Sequence, residues 1–571
     1  MKKNPIYSMR RVFLLSLFVI GLGGLFVRSV YLQLFEHEFL EEEGKARHLR
    51  VVEMPAHRGM ILDRNGELLA VSTPIHSVWV NPLEALQSHK VIRDVALILE
   101  MNADQLIKKL QSKKSRQFLY VKRHIGPQQA ERLKQLGGNG VHLKREYRRY
   151  YPTAEVSSHV LGFTGIDDNG LEGVELAYED WLRGRPGAKK VIKDSYNRIV
   201  EDVEAMSIPE PGKDVVLSID KRIQYIAYRE LKAKLSKHNA KSASAVLLDA
   251  KTGEVLAMVN APSFNPNNRE GYSQNTYRNR SVTDVFEPGS TIKPFTIASA
   301  LESQRYSQNT IIDTSPGTYK IGEFTIRDHK NYGSLTVSEI IHKSSNVGAT
   351  KIAQTIPAQE LWSTFSSIGI SHSTESGFPG EVAGYLKSFH DWHKVEHATL
   401  SYGYGMSMTS LQLARAYAVL ASGGKLLPIS MLRMSDEDIK SQEVPAIFSP
   451  HTIDKVVAML TAAVSIEGTG SRAAITGYSV AGKTGTVHKS SKGGYEEDKY
   501  ISVFAGMAPA SDPRLVLVVM VNQPSRGEYF GGEVAAPIFS KIMGGALRIL
   551  NVSPDKVPLQ ANTIISPDYA G

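Results

Sequence analysis

The stretch DVFEPGSTIKPFTIASALESQ, residues 284–304, contains a chain break and then a helical pattern of apolar residues. Pro288 and Gly289 interrupt the preceding segment, and the spacing that follows predicts a helix from Ser290 onward. A helix places Ser290 and Lys293 on one face, where the lysine amine can take the proton of the serine hydroxyl. The positive end of the helix dipole disfavours the ammonium form of Lys293. The stretch therefore predicts a serine nucleophile and a lysine base, although S-x-x-K alone is a weak signal.

Two further motifs follow in a fixed order. EIIHKSSNVGATKIAQ, residues 339–354, contains Ser344 and Asn346 in an S-x-N pattern, and GYSVAGKTGT, residues 477–486, contains K-T-G-T from Lys483. S-x-N recurs elsewhere in the chain, so its value lies in its place between the other two motifs. The ordered set S-x-x-K, S-x-N and K-T-G is typical of penicillin-binding proteins and serine β-lactamases.

Residues 477–486 also match the phosphate-binding pattern G-x-x-x-x-G-K-[ST]. A phosphate loop needs a buried strand before it and a helix after it. The upstream segment GTGSRAAITGYSV is polar and broken by glycines, and the downstream segment GTVHKSSKGGYEEDKY is rich in glycine. The segment is better interpreted as a strand that presents Lys483. Gly485 then lies on the same face and leaves room for a peptide substrate along the strand edge.

Three other matches are interpreted as structural. A second K-T-G at Lys251 lies in LLDAKTGEVLAM, between two apolar runs, and predicts a hairpin turn. A second S-x-x-K, from Ser218 to Lys221, follows the apolar DVVLS without a Pro-Gly break and predicts a polar strand end. HDWHKVEHATL contains H-x-x-E-H from His393 to His397, the pattern of an inverted zinc protease, but no further ligand follows. We therefore expect no metal and no cofactor.

Composition limits the remaining chemistry. The 571 residues contain no cysteine, which excludes disulfides, thiolate nucleophiles and thiolate metal sites. Apolar residues make up 42% of the chain, enough for the cores of two or more domains. The net charge of +9 suits an anionic surface, but it equally fits a solvated basic surface without a specific partner. Nothing in the sequence predicts a nucleic-acid partner.

The N-terminus predicts a membrane anchor. Residues 12–35, VFLLSLFVIGLGGLFVRSVYLQLF, are long and apolar enough to cross a bilayer if Arg28 reaches the far interface. Basic residues precede the segment and five glutamates follow it, so the positive-inside rule leaves a short cytoplasmic tail and exports the rest. A cleavable signal peptide is the alternative, but Arg28 and Tyr31 occupy the region where small residues would form the cleavage site.

The sequence predicts an α+β protein with five parts. These are a tail (1–11), the anchor (12–35), a non-catalytic region (36–212), a large mixed module (213–551) and a C-terminal tail (552–571). The junction SIPEPGKDVVLSID has two prolines, which favour a domain boundary. In the non-catalytic region, KREYRRYYP contains Arg148 and Arg149, which can pair with carboxylates as easily as meet a ligand.

As whole phrases, these segments resemble the class B penicillin-binding proteins, and among them the division-specific penicillin-binding protein 3, or FtsI-type peptidoglycan D,D-transpeptidases. The phrases that carry the resemblance are RGMILDRNGELLAVS, RRYYP, GFTGIDDNGLEGVE, RNRSVTDVFEPGSTIKP, KSSNVG, LSYGYGMSMTSLQLARAYA, GKTGT and YFGGEVAAPIF. The chain departs from the usual family wording at Ser410, Val487 and His488. The resemblance implies an elongated α/β pedestal domain, then a transpeptidase domain with a central antiparallel sheet flanked by helices.

The same resemblance implies acyl transfer. Ser290, deprotonated by Lys293, is expected to attack the carbonyl between the two terminal D-alanines of a peptidoglycan stem peptide. The amine of a neighbouring stem then takes the acyl group. The backbone N–H groups of Ser290 and Thr486 are expected to form the oxyanion hole. β-Lactam antibiotics are expected to acylate Ser290 in the same way.

The remaining roles also come from the resemblance. Ser344 is expected to relay a proton to the leaving amine with Lys483 nearby, and Asn346 to hold the substrate amide. Thr484 and Thr486 are expected to bind the donor carboxylate.

Partners and alternatives follow from the same source. The resemblance implies single-pass anchoring in the inner membrane with a periplasmic catalytic domain, and assembly with an FtsW-type glycosyltransferase and other divisome membrane proteins. A D,D-carboxypeptidase that passes the acyl group to water stays open. So do a condition-specific paralogue of the division enzyme and a non-catalytic divisome scaffold, although the intact motifs argue against the scaffold.

Overall fold

The computed structural model describes residues 5–36, 38, 49–137, 140–193, 199–491 and 494–556. It begins with a helix, Pro5–Leu34. Within this helix, the span Met9–Leu34 contains an 18-residue stretch with a mean hydropathy of 2.1 and no buried residue, and the span is long and apolar enough to cross a membrane. Its 26 residues extend for about 39 Å at 1.5 Å per residue. The helix agrees with the anchor predicted at 12–35, apart from the last residue.

The chain forms two compact units. Unit 1 consists of Met1–His57, Pro74–Arg148 and Gly184–Gly212, and unit 2 of Arg58–Thr73, Arg149–Arg183 and Lys213–Gly571. The chain therefore crosses between the units several times, and two segments of the predicted non-catalytic region belong to unit 2. The predicted domain limits are sequence boundaries, which this division by contacts does not test.

Unit 1 contains two sheets. Leu49–Met54, Gly187–Lys193 and Ile199–Ser207 form an antiparallel three-stranded sheet. In the second sheet, the end of Leu68–Val80 pairs with Leu119–Ile125 and also with a strand at Val141–Tyr150. Short amphipathic helices cover one face of this second sheet and form its apolar core, which includes Val78, Val80, Leu106, Leu119 and Leu133. These helices are Pro82–Ala85, His89–Ile98, Ala103–Gln111 and Pro127–Leu136.

Unit 2 is built on a five-stranded antiparallel sheet. Its strands are β1 (Ser242–Asp249), β2 (Val255–Ala261), β3 (Ala481–Ser491), β4 (Gly494–Ala508) and β5 (Leu515–Asn522). Their order across the sheet is β2-β1-β5-β4-β3, so the K-T-G strand β3 lies at one edge. In β3, Lys483 pairs with Ala505 and Thr486 with Ser502.

Both faces of this sheet are buried. Every residue of β1 and β2 is buried, and their side chains alternate between two apolar cores. One core contains the helices Lys221–His238 and Gly531–Ile549, and the other contains Lys293–Glu302, Ser410–Ala421 and Pro450–Ala463. The predicted central antiparallel sheet flanked by helices is therefore confirmed, and so is the α+β class.

Shorter elements complete unit 2. The remaining helices are Ala154–Val156, Ser158–Leu161, Gly173–Ala177, Glu179–Leu182, Gln274–Tyr277, Arg280–Thr283, Gly289–Ile292, Val337–Lys343, Asn346–Ala353, Ala358–Ser367, Phe389–Asp391, Lys394–Leu400, Asp436–Ser441 and Ser471–Ala473. The remaining strands are Ile61–Leu62, the start of Leu68–Val80, Phe163–Thr164, Gly170–Glu172, Val215–Val216, Ile311–Asp313, Thr318–Ile321, Phe324–Arg327, Ser334–Thr336, Tyr385–Leu386 and Met406–Ser407.

Candidate active site

Ser290 lies in a tight turn rather than in the helix that the sequence predicts to start there. Residues Gly289–Ile292 form a 3-10 turn, and the α-helix begins at Lys293. Gly289 has φ +54°, and a Cβ at this position would lie 2.3 Å from Cγ1 of Val487. Only glycine meets both conditions, so the turn can pack directly against strand β3.

A second glycine holds this turn from the other side. Gly403, in the segment LSYGYG, has φ +88°, and a Cβ there would lie 2.1 Å from the carbonyl oxygen of Gly289. The N–H of Gly289 donates to the carbonyl of Gly403 at 3.1 Å. The hydroxyl of Tyr417 donates to the carbonyl of Thr291 at 2.9 Å. The sequence alone does not predict a role for Gly403, whose signal is the glycine spacing in a family phrase.

Lys293 is completely buried, and its amine faces the S-x-N motif. Its Nζ donates to the carbonyl of Ser344 at 2.6 Å, to Ser344 Oγ at 3.2 Å and to Asn346 Oδ1 at 2.8 Å. Among the described residues, no hydrogen bond joins this Nζ to Ser290 Oγ. Burial lowers the pKa of Lys293 well below its usual value, and the nearby charge of Lys483 lowers it further. The amine is thus favoured in the neutral form that a general base requires.

The S-x-N motif forms a left-handed turn between two helices. Ser344 ends the helix Val337–Lys343 with φ +63° and ψ +39°, and the next helix starts at Asn346. Ser345 Oγ accepts the N–H of Gly348 at 2.8 Å, which caps the second helix. This turn places the side chains of Ser344 and Asn346 next to Lys293.

Lys483 is also completely buried, in the edge strand β3. Its Nζ has long contacts with the carbonyl of Thr484 at 3.4 Å and with Thr484 Oγ1 at 3.5 Å. Burial lowers the pKa of Lys483 to about 7. Within the described part of the chain, the amine makes no ion pair, so a substrate carboxylate would meet little competition for it.

Gly485 has a packing role in addition to the one predicted from the sequence. A Cβ at Gly485 would lie 3.0 Å from the carbonyl oxygen of Pro288 and 3.0 Å from Cγ2 of Thr291. Both atoms belong to the region of the nucleophile turn. The glycine therefore lets β3 approach this turn, in addition to the predicted room for a peptide.

The two threonines of the K-T-G-T motif point toward the start of the helix Gly531–Ile549. Thr484 Oγ1 donates to Thr469 Oγ1 at 3.1 Å. Thr486 Oγ1 accepts the backbone N–H of Gly531 at 2.9 Å. Because the oxygen of Thr486 is occupied as an acceptor, its hydroxyl hydrogen is left to donate to a ligand.

The three residues that differ from the usual family sequence lie in different local environments. Ser410 Oγ forms a buried hydrogen bond with Ser244 Oγ at 2.8 Å. Val487 packs against Gly289 beside the nucleophile. The ring of His488 lies 4.7 Å from that of Tyr500.

The competing motifs have structural roles. Lys251 forms an ion pair with Asp512 at the turn between β1 and β2, as predicted for a hairpin. Ser218 is buried, and its hydroxyl donates to the carbonyl of Val255 at 2.7 Å. Residues 481–491 form an edge strand rather than a loop, which contradicts the phosphate-loop interpretation.

The H-x-x-E-H segment caps a helix. The N–H of His393 donates to Glu396 Oε2 at 2.7 Å, and Lys387 Nζ donates to Oε1 at 2.7 Å. Within the part of the chain that the structure describes, no three His, Cys, Asp or Glu side chains gather as a metal site.

Comparisons with known proteins agree with this geometry. The model of the penicillin binding protein transpeptidase domain matches residues 243–544, and that of the penicillin-binding protein dimerisation domain matches residues 53–217. The peptidoglycan D,D-transpeptidase FtsI of Escherichia coli strain K12 is 40% identical over 96% of this chain and 93% of its own length. "Probable peptidoglycan D,D-transpeptidase PbpC" of Pseudomonas aeruginosa is 41% identical over 96% of both chains. The solved transpeptidase domain of Burkholderia pseudomallei penicillin-binding protein 3 is 44% identical, with a TM-score of 0.55, and covers 60% of this chain and 98% of that domain.

Proposed function

Since this chain belongs to the penicillin-binding protein transpeptidase family, we propose that it is a septal peptidoglycan D,D-transpeptidase with Ser290 as its nucleophile. One observation carries the assignment of the residues. The buried amine of Lys293, which follows Ser290 by three residues, is held by Ser344 and Asn346. The S-x-x-K and S-x-N motifs therefore form one site, against which the K-T-G strand packs.

The first half of the reaction forms an ester. Neutral Lys293 takes the hydroxyl proton of Ser290, and Ser290 Oγ attacks the carbonyl carbon between the two terminal D-alanines of a stem peptide. The C–N bond breaks, and the D-alanine amine leaves with a proton relayed through Ser344. The acyl group stays on Ser290.

The second half makes the cross-link. An amine of a neighbouring stem peptide attacks the ester carbon, and a new peptide bond forms as the bond to Ser290 Oγ breaks. The proton of the attacking amine restores the serine hydroxyl. If water attacks instead, the result is a D,D-carboxypeptidase, and the ratio of the two products separates the two activities.

The donor peptide is held along strand β3. Among the described strands, none pairs with the outer side of β3, and an extended peptide can pair there. Lys483 and the hydroxyl of Thr486 bind the terminal carboxylate, and Asn346 binds a substrate amide. Thr484 also binds the carboxylate once its hydroxyl hydrogen turns away from Thr469. The backbone N–H groups of Ser290 and Thr486 stabilise the oxyanion, an effect often worth about 3 kcal/mol per donor.

Labelled penicillin tests the nucleophile. β-Lactams mimic the D-Ala-D-Ala terminus in this family, so Ser290 of the wild type is expected to carry the label in a peptide mass map. Ser290→Ala is expected to lose it. The matched control is Ser218→Ala, which removes the serine of the second S-x-x-K and is expected to keep labelling. A label on another residue of Ser290→Ala would contradict the assignment.

We assign the same five parts to the full chain. Residues 1–11 are cytoplasmic, 12–35 anchor the protein in the inner membrane, and 36–212 and 213–551 form periplasmic domains that precede the tail 552–571. The described side chains from Met9 to Val27 are exposed, so lipid or another membrane helix must cover them. We propose an FtsW-type glycosyltransferase as the helix partner. Protease protection in spheroplasts tests the orientation. Because this chain has no native cysteine, single cysteines introduced into the anchor can be cross-linked to the glycosyltransferase, which tests the partner.

A further inference from the structure

Asp328 binds three consecutive residues of the S-x-N segment. Its Oδ2 accepts the hydroxyl of Ser345 at 2.5 Å, and its Oδ1 accepts the backbone N–H groups of Asn346 at 2.5 Å and Val347 at 3.0 Å. The backbone N–H of Asp328 in turn donates to the carbonyl of Gly317 at 2.9 Å, which fixes the carboxylate relative to the hairpin Thr318–Arg327. One carboxylate therefore holds a segment that is distant in sequence.

These contacts reach the reaction centre in one further step. Asn346, whose N–H binds Asp328, accepts Lys293 Nζ through its side chain at 2.8 Å. Its amide N–H₂ donates to the carbonyl of Arg327, the neighbour of Asp328, at 3.1 Å. The side-chain amide of Asn346 is thus fixed in the orientation that presents its oxygen to the lysine.

The charge of Asp328 also acts on Lys293. Two charged groups influence this amine, and they oppose each other: the cation of Lys483 disfavours its protonation, and the anion of Asp328 favours it. Burial has already made Lys293 a weaker base. The anion of Asp328 partly restores the ability of Lys293 to accept the proton of Ser290.

We propose that Asp328 is a positioning residue for acylation, which fixes the Ser344–Asn346 turn against Lys293 and strengthens that lysine as a base through its negative charge. The inference rests on the proposed roles of Ser290 and Lys293. It goes beyond ordinary helix capping, because a cap requires the contacts with Ser345 and Val347 but not an effect on Lys293.

The test is the second-order rate of acylation by penicillin in the full-length, detergent-solubilised protein between pH 5 and 9. Asp328→Asn keeps the shape but removes the charge and is expected to lower the rate at neutral pH by about 10². Without the anion Lys293 binds a proton less readily, so the acid limb of the rate profile is expected to move to lower pH, by about one unit. Asp328→Glu keeps the charge but displaces the carboxylate, and is expected to lower the rate with the acid limb near its original place.

Asp220→Asn is the matched control. Asp220 is buried, and its carboxylate caps the helix Lys221–His238 by accepting the N–H of Arg222 at 2.9 Å. The same substitution there is expected to lower the thermal midpoint without moving the acylation profile of the folded protein. If Asp328→Asn and Asp328→Glu behave like this control, Asp328 is only a helix cap and the inference is wrong.

Ser290→Ala, run beside these variants, separates this inference from the proposed function. If Ser290→Ala loses the label while the Asp328 variants keep the wild-type rate and profile, only the role of Asp328 fails. If Ser290→Ala still becomes acylated, the proposed nucleophile fails first.

Discussion

Two places in unit 2 bury cations, and they differ in what surrounds the charge. At the candidate active site, Lys293 and Lys483 are completely buried without a carboxylate in ion-pair contact among the described residues. In the second cluster, Arg58 and Arg149 are buried on either side of Glu175, at 2.8 and 2.6 Å from its oxygens. The first arrangement leaves the pKa values of both lysines lowered.

The arginine cluster has the opposite electrostatic result. Burial alone would lower the pKa of Arg58, but the carboxylates of Glu175 and Glu179 outweigh it and raise that pKa. A buried cation with its carboxylate partner is fixed in charge and contributes to structure. A buried cation without one can lose its proton, which is what a base needs. The presence or absence of a carboxylate partner therefore distinguishes the arginine cluster from the candidate active site.

The largest expected effect is the loss of the base. Lys293→Met is expected to lower the acylation rate by about 10³, because the general base disappears. The thermal midpoint is expected to stay equal or rise, since an apolar side chain replaces a buried amine. Penicillin acylation kinetics and thermal unfolding of the full-length protein measure the two effects. Lys221→Met, at the lysine of the second S-x-x-K, should change neither rate nor profile. A wild-type rate in Lys293→Met would remove Lys293 from the mechanism.

Breaking the paired cluster is expected to affect folding instead of chemistry. Glu175→Gln leaves two buried arginines short of their shared anion, and we expect a loss of about 3–5 kcal/mol in unfolding free energy. Denaturant unfolding measures this loss, and acylation by the protein that remains folded should be normal. Asp512→Asn removes the carboxylate of the exposed Lys251 pair and should cost less than about 1 kcal/mol. If Glu175→Gln also loses less than about 1 kcal/mol of unfolding free energy, the buried cluster stabilises the fold no more than an exposed ion pair does.

Lys483 is expected to make stability depend on pH. Its pKa falls from 10.5 in a model peptide to about 7 in the fold, so the unfolded chain binds the extra proton between these values. The stability of the wild type should therefore rise as pH increases from about 7 to about 10, by up to about 1.4 kcal/mol per pH unit. Lys483→Met has no amine to titrate, so its stability lacks this pH dependence. The stability of Lys483→Met relative to the wild type should be greatest below pH 7 and should decrease above it. Thermal midpoints at several pH values measure the difference. A constant difference across pH would contradict an unpaired, titrating lysine.

The sequence predicted the two lysines of the candidate active site but not the contacts that distinguish them from other buried cations. S-x-x-K, S-x-N and K-T-G are short patterns whose order predicted the candidate site, and a central antiparallel sheet followed from the family phrases. Asp328 and Gly403 could not be found in this way, because their roles come from tertiary contacts with the S-x-N turn and with Gly289. The sequence did not decide whether Arg149 pairs with a carboxylate or meets a ligand, and in the structure Arg149 pairs with Glu175.

The smallest expected effect concerns Asp168, which lies beside the arginine cluster. Among the described residues, its carboxylate forms no ion pair with Arg58 or Arg149. Arg58 Nη1 donates to the backbone carbonyl of Asp168 at 3.1 Å, while Asp168 Oδ1 is buried without a partner among the described residues. Burial raises the pKa of Asp168 from 3.8 to about 6, so its contribution to stability is present below pH 3.8 and lost as pH rises through 6. Asp168→Asn, tolerated at φ +61°, should therefore be more stable than the wild type by about 1 kcal/mol at pH 7.5. The gain should vanish near pH 4, as thermal midpoints at the two pH values would measure. A loss of stability at pH 7.5 would instead mean that Asp168 is an ionised partner of the arginines, and that the cluster uses every carboxylate within reach.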